Sequence, residues 1–150
     1  APHVVNEGHL KEIMSKLQRP CIRYTQATEE NVQQADCLII DCYGLLSSIY
    51  RYGEISYIGG GFGVGIHNVL EAAVYGIPVI FGPNNKKFRE AQHLLANKGG
   101  FEINSFEDFE QLMNRFLTDE AYLAQSGKAA GDYVKGNAGA MEVIMKSVFE

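Results

Sequence analysis

Hydrophobic periodicity marks the first element of the chain at Leu10, Ile13, Met14 and Leu17, spaced i, i+3, i+4, i+7 as on one face of a helix within GHLKEIMSKLQ. CIRYTQA follows as a short strand and TEENVQQA as a polar connection. DCLIID is apolar on both faces, as a central parallel strand is. YGLLSSIYRYG fits a helix of about two to three turns. EISYIGG reads as a buried strand, NVLEAAVYG as a short helix closed by Gly76, and IPVIFGP as a third buried strand. After Pro83 the pattern turns mostly helical. FREAQHLLANKG stops at a glycine pair, SFEDFEQLMNRFL opens on Ser105 as a cap, and DEAYLAQSGKAAGDYVK and AMEVIMKSVF continue. Strand alternating with helix predicts an α/β fold: a Rossmann-like, doubly wound parallel sheet with a helical C-terminal segment.

Composition narrows this picture. With 150 residues and 46% hydrophobic positions, the chain is sized for one core, so residues 1–150 are expected to form one domain. The net charge of -5 leaves no basic stripe to release counterions, which excludes a nucleic-acid partner. Cys21, Cys37 and Cys42 lack CxxC spacing and are expected to be buried free thiols in a reducing cytoplasm. The four histidines have no paired spacing, so no metal site is expected. No run reaches the ~18 apolar residues of a membrane span. APHVV begins like the tail of a strand, which suggests excision from a longer protein.

The unusual stretch is YIGGGFGVGIHNVLEAAVYGIPVIFGP, residues 57–83. It fails the dinucleotide pattern GxGxxG, because the third glycine falls on Val64, Ile66 or Asn68 from each possible start. It contains no Gly-Lys-Ser/Thr either. What remains is a glycine loop entering a helix, where the amides around Gly61, Gly63 and Gly65 can face an anion such as a phosphate, or a structural turn. Asn68 followed by Glu71 is a capping-box spacing; equally, Glu71 can accept from two neighbouring ribose hydroxyls with Asn68 bonding nearby. Both roles can coexist. Gly44, Leu45 and Leu46 either form an ordinary strand-to-helix turn or offer backbone groups to a planar base. Tyr43 and Tyr57 read as packing residues. The segments APHVV, IIDCYGLL, YIGGGFGVGIHN and VIFGPNNKKF each follow a predicted strand, which would gather them on one rim of the sheet.

These residues, with DCYGLLSSIYRYGEISY before the glycine loop and NNKKFREA after it, resemble the C-terminal half of the Kdo transferases, which attach 3-deoxy-D-manno-octulosonic acid to a lipid A precursor. The resemblance implies the nucleotide-donor half of a two-domain GT-B glycosyltransferase, with CMP-Kdo as donor. It implies nucleotide contacts at Asn68, Val69, Leu70 and Glu71 through the Asn-x-Leu-Glu element, and at Gly44, Leu45 and Leu46 through the Gly-x-Leu element. His3, beside Val4, stands where the family commonly has Arg, and Ala72 where it often has Pro. Gly61, Gly63 and Gly65 would serve the phosphate and sugar, and Lys86 or Lys87 would meet the sugar carboxylate or stay solvated. The acceptor site, the membrane-associating surface and the general base would lie in an N-terminal half outside these residues. The opening strand and helix of the donor domain would also be missing. No catalytic residue, metal or cofactor is then expected in the 150 residues. The full-length enzyme would invert at the anomeric carbon on the cytoplasmic face of the bacterial inner membrane, while the isolated piece would be soluble and inactive. A UDP-sugar donor domain and a non-catalytic nucleotide-binding module are the alternatives.

Overall fold

The computed structural model describes residues 1–3 and 5–139, in two compact units, Ala1–Ile49 and Tyr50 onward. Val4 and the helix expected over residues 140–149 lie outside the described residues.

In the first unit, α1 (Glu7–Lys16) starts one residue ahead of the expected segment because Asn6 caps it, its side chain accepting the His9 amide at 2.8 Å. Leu10 is the buried anchor of its apolar face. Strand β1 (Cys21–Arg23) pairs in parallel with β2 (Cys37–Ile39), Cys21 opposite Cys37. All three cysteines are free but half-buried, where burial was expected. Leu38 is exposed, so DCLIID is not covered on both faces within a sheet of two strands. The helix expected over YGLLSSIYRYG shrinks to α2 (Leu46–Ile49), and a 3-10 turn at Tyr50–Tyr52 opens the second unit. Serine explains part of this: the Ser48 hydroxyl donates to the Leu45 carbonyl at 2.9 Å, a local bond that competes with helix continuation. Tyr43 is exposed rather than packed.

The second unit is a layered α/β/α body. Strands β3 (Ser56–Ile58), β4 (Val79–Phe81) and β5 (Gly100–Glu102) lie side by side in chain order, all parallel. The helices are α3 (Leu70–Ala73), α4 (Arg89–Ala96), α5 (Phe106–Thr118) and α6 (Glu120–Asn137). Strand β4 is central and wholly buried. The period of two sends Val79 and Phe81 to one face, with Ile58 from β3, against Ala72 and Ala73 of α3, Leu94 of α4 and Ala130 of α6. Ile80 goes to the other face, against Phe116, Leu112 and Met113 of α5. Ser105 caps α5 as expected, accepting the Asp108 amide at 3.2 Å. Strand β5 was not expected: only Phe101 between Gly100 and Glu102 signals it. The single doubly wound sheet read from the alternation is present as two parallel sheets, one in each unit.

Helix α6 reaches the core because its buried face is Ser126, Gly127, Ala130 and Gly131. Gly76 ends the α3 turn at φ +72°, the left-handed closure its position called for. A Cβ on Gly127 would run into the Gly76 carbonyl oxygen, and one on Gly131 would stand 3.2 Å from the Gly76 Cα. Gly136, near the end of the same helix, has open space around it. Gly127→Ala is therefore expected to lower stability by about 1–3 kcal/mol through overpacking. Gly136→Ala should raise it by about 0.5–1 kcal/mol. Urea unfolding of both variants checks the contrast, and equal effects would remove the proposed close contact.

Candidate functional site

The glycine loop joins the carboxyl end of β3 to α3. It folds back on itself: Gly60 bridges Ile66 in antiparallel fashion, the His67 amide donates to the Gly59 carbonyl at 3.1 Å, and the Gly61 amide donates to Val64 O at 3.0 Å. Gly61, at φ +85°, is buried against the start of the β4–α4 turn. A Cβ there would stand 2.8 Å from the Gly82 Cα and 2.9 Å from Ile66 Cγ2. Gly65 lies under the Phe88 ring, 2.5 Å from where its Cβ would be. Packing therefore accounts for Gly61 and Gly65. Gly63 is exposed with open space around it, the one of the three free to meet a ligand without rearrangement.

Below the loop the chain enters α3. Ile66 and Val69 are buried anchors, and between them Asn68 stands exposed. Its Oδ1 accepts the Leu70 amide and its Nδ2 donates to Glu71 Oε1, each at 3.0 Å. This is a variant of the capping box. The Asn caps the turn, but the Glu pairs with the Asn side chain instead of reaching back to a backbone amide. Among the described residues Glu71 Oε2 takes no hydrogen bond, so the carboxylate is held at one oxygen and open at the other. Tyr50 lies close by: burial, and then the Glu71 charge, raise its hydroxyl pKa above the ordinary value. The helix spans four residues, Leu70–Ala73, too few for a substantial macrodipole. Anion binding by the helix end alone is thus not what this turn offers. It offers an oriented, half-exposed carboxylate.

Two residues that the sequence reading left unassigned build the opposite wall. The Asn84 amide donates to Gly61 O at 2.9 Å and its Nδ2 to Gly63 O at 3.0 Å, fastening the β4–α4 turn to the glycine loop. Asn85 is fully buried, with Nδ2 donating to Gly82 O and Glu102 Oε2 and Oδ1 accepting from Gln92 Nε2 at 2.6 Å. Their signal was the Pro83-Asn84-Asn85 turn itself, and Asn85, once buried, must satisfy both ends of its side-chain amide. Lys86 and Lys87 are exposed. Of the four segments expected on one rim, the glycine loop and FGPNN meet in this unit; APHVV and DCYGLL belong to the other.

In the first unit the carboxyl end of β2 carries Asp41, whose side chain is fully shielded from solvent. Thr25 donates its amide and hydroxyl to it at 2.9 and 2.6 Å, and Arg23 Nε donates at 2.7 Å. Arg23 in turn holds Glu7, in the first turn of α1, by two nitrogens at 3.1 and 2.7 Å. The Thr25 hydroxyl above all, with the Thr25 amide and Arg23 behind it, pulls the Asp41 pKa down to about 2 against the opposing effect of burial. Glu7, bonded first, and Asp41 raise that of Arg23. The network ties α1 to the ends of β1 and β2. His3 and Gly44 are exposed, Leu45 half-buried and Leu46 exposed, and Gly44 makes the turn at φ +87°. Among the described residues no group of His, Cys, Asp and Glu is placed to hold a metal ion, and no helix is long and apolar enough to cross a membrane.

Known proteins agree with the motifs. No family model matches the chain. The 3-deoxy-D-manno-octulosonic acid transferase of Aquifex aeolicus (strain VF5) is 38% identical over 91 residues, 59% of this chain and 26% of that protein. The enzyme of the same name from Chlamydia pneumoniae is 30% identical over 133 residues, 84% of this chain and 30% of its own length. The chain thus spans less than a third of these relatives. Among solved structures, the C-terminal CMP-Kdo binding domain of WaaA from Acinetobacter baumannii superposes with a TM-score of 0.64 at 19% identity, covering 81% of this chain and 66% of that one. The expected α/β fold is the fold of that domain, and the resemblance read from the motifs is borne out by the named relatives.

The Asp41 network makes a pH-dependent contribution to stability. Its folded pKa of about 2 lies below the ordinary 3.8, so the stabilisation is present above 3.8 and drains away as pH falls through that value toward about 2. Acid unfolding of the wild type, followed by circular dichroism, should steepen in that window. Asp41→Asn should be less stable at pH 7 and lose the dependence; an unchanged acid limb would contradict the assignment.

Proposed function

We propose that these residues are the nucleotide-donor half of a Kdo transferase, which binds CMP-Kdo and presents it to an acceptor held by polypeptide outside them. Two things support this: the named transferases that share its sequence, and the Asn68–Glu71 pair at the mouth of the glycine loop. The second carries the chemistry. A carboxylate fixed at Oε1 by an amide, with Oε2 open, is a ready acceptor for the neighbouring hydroxyls of a ribose, and Asn68 sets its rotamer before the ligand arrives.

In this reading Asn68, Val69, Leu70 and Glu71 contact the cytidylate, and the exposed backbone at Gly63 faces the phosphate or sugar, with Gly61 and Gly65 shaping the loop. His3, Val4, Gly44, Leu45 and Leu46 are proposed separately as nucleotide contacts of the first unit. Orientation of the donor and stabilisation of charge on the departing phosphate are this half's share of catalysis. The base that deprotonates the acceptor hydroxyl belongs to the other half, and displacement of CMP inverts the anomeric carbon. The isolated 150 residues would transfer nothing. A lipid A precursor as acceptor, a place in lipopolysaccharide synthesis and the cytoplasmic face of the inner membrane belong to the same proposal for the full-length protein.

Calorimetric titration of full-length protein tests it. CMP should bind more tightly than UMP, and Glu71→Gln should weaken CMP by about 10-fold or more, the loss of a charge-assisted pair. Unchanged CMP affinity in a folded Glu71→Gln variant would sink the ribose role; a preference for UMP would favour a UDP-sugar donor instead.

A further inference from the structure

The glycine loop and the turn it enters hold two side chains of opposite character. From Gly59 to Glu71 one side chain can carry positive charge, His67, and one carries negative charge, Glu71. A phosphate seated beside Glu71 needs a compensating donor, because two anions repel each other. The four-residue α3 has no substantial macrodipole to supply it, and Asn84 Nδ2 is turned to the Gly63 carbonyl. His67 is left as the group of that segment with the right chemistry.

The backbone fixes where its ring points. Gly60 and Ile66 face each other across an antiparallel bridge, and next to it the His67 amide donates to the Gly59 carbonyl at 3.1 Å. Side chains alternate along such a ladder. Ile66 turns inward and is buried, so His67 turns outward, and it is exposed. The imidazole lies over Gly59: a Cβ built there would stand 3.4 Å from His67 Cδ2 and 3.9 Å from Nε2, ordinary van der Waals distances.

Gly59 is the first residue beyond the carboxyl end of β3, so the ring stands at the rim where ligands of parallel sheets gather. Along the chain it comes between the exposed Gly63 and the Asn68–Glu71 pair, and buried Ile66 and Val69 anchor the segment on either side of it. Lys86 and Lys87 are also exposed, on the β4–α4 turn, but long flexible stems lose rotamer freedom on pairing. The His67 ring is in place before a ligand arrives.

We propose that His67 is a phosphate contact of this site, one ring N–H donating to a phosphate oxygen of a nucleoside monophosphate whose ribose Glu71 holds. The inference rests on the donor-site reading and adds to it the residue that recognises the charge. Imidazole has an N–H to donate in its neutral and its protonated form alike.

CMP and cytidine differ only in the phosphate and so separate the two roles. Full-length wild type, His67→Phe, His67→Gln and Glu71→Gln are titrated calorimetrically with CMP, and with cytidine by competition against it. His67→Phe keeps a flat ring on Gly59 and removes the donor. It should weaken CMP by about 10-fold or more, as loss of a hydrogen bond to a charged group does, and leave cytidine unchanged. His67→Gln, which keeps an N–H donor, should recover part of the CMP affinity. Unchanged CMP affinity in His67→Phe would overturn the inference. So would an equal loss of CMP and cytidine, which is what a merely structural role of the ring would give. Glu71→Gln should instead weaken both ligands. If it weakens neither while His67→Phe still loses CMP alone, the ribose role falls and the phosphate contact stands.

Discussion

The contact between Gly61 and Gly82 is what the rest of the site depends on. Each excludes a side chain on the other: a Cβ on Gly61 would lie 2.8 Å from the Gly82 Cα, and a Cβ on Gly82 would lie 2.8 Å from the Gly61 carbonyl carbon. These are backbone atoms, which cannot swing aside as a flexible side chain can. Because the two backbones touch, Asn84 can reach across to the Gly61 and Gly63 carbonyls, and Ile66 is buried behind Gly61. The loop then has one way to enter α3, and that entry presents Asn68 and Glu71 outward while Val69 anchors inward.

This order of causes explains why a segment so rich in glycine is not simply a phosphate cradle. Glycine costs backbone entropy on folding, so its density demands a reason. At Gly61 and Gly65 the reason is contact with Gly82 and the Phe88 ring. Recognition chemistry shifts to a neighbouring pair of side chains, where a hydrogen bond holds one carboxylate oxygen and leaves the other for a ligand. The buried Asn85 network on the far side has the same logic, satisfying polar groups internally so that the turn above it stays in place.

What the sequence revealed follows from how local each signal is. The α1 periodicity, the Ser105 cap and the Gly76 stop are written within a few residues, and each appears where it was expected. Asn68 and Glu71, three apart, were legible as a pair, though not that Glu71 would bond to the Asn68 side chain rather than to a backbone amide. Strand β5 was missed because three residues carry no period and Gly100 argues against a strand; β4 recruits it by pairing. The Arg23–Asp41 pair, 18 residues apart, has no local signature at all. Alternation of strand and helix reported the parallel connections but not which strands pair, β1 with β2 in one sheet and β3, β4 and β5 in the other.

The most direct measurement is CMP binding by full-length Gly61→Ala, compared with a control change at the open position Gly63→Ala. If the Gly61–Gly82 contact sets the pose of Asn68 and Glu71, the first variant loses CMP affinity by about 10-fold or more, since a displacement near 1 Å is enough to misplace a binding group. The second, which meets nothing within 4 Å in the free protein, retains more of it. Wild-type affinity in a folded Gly61→Ala protein would contradict the account.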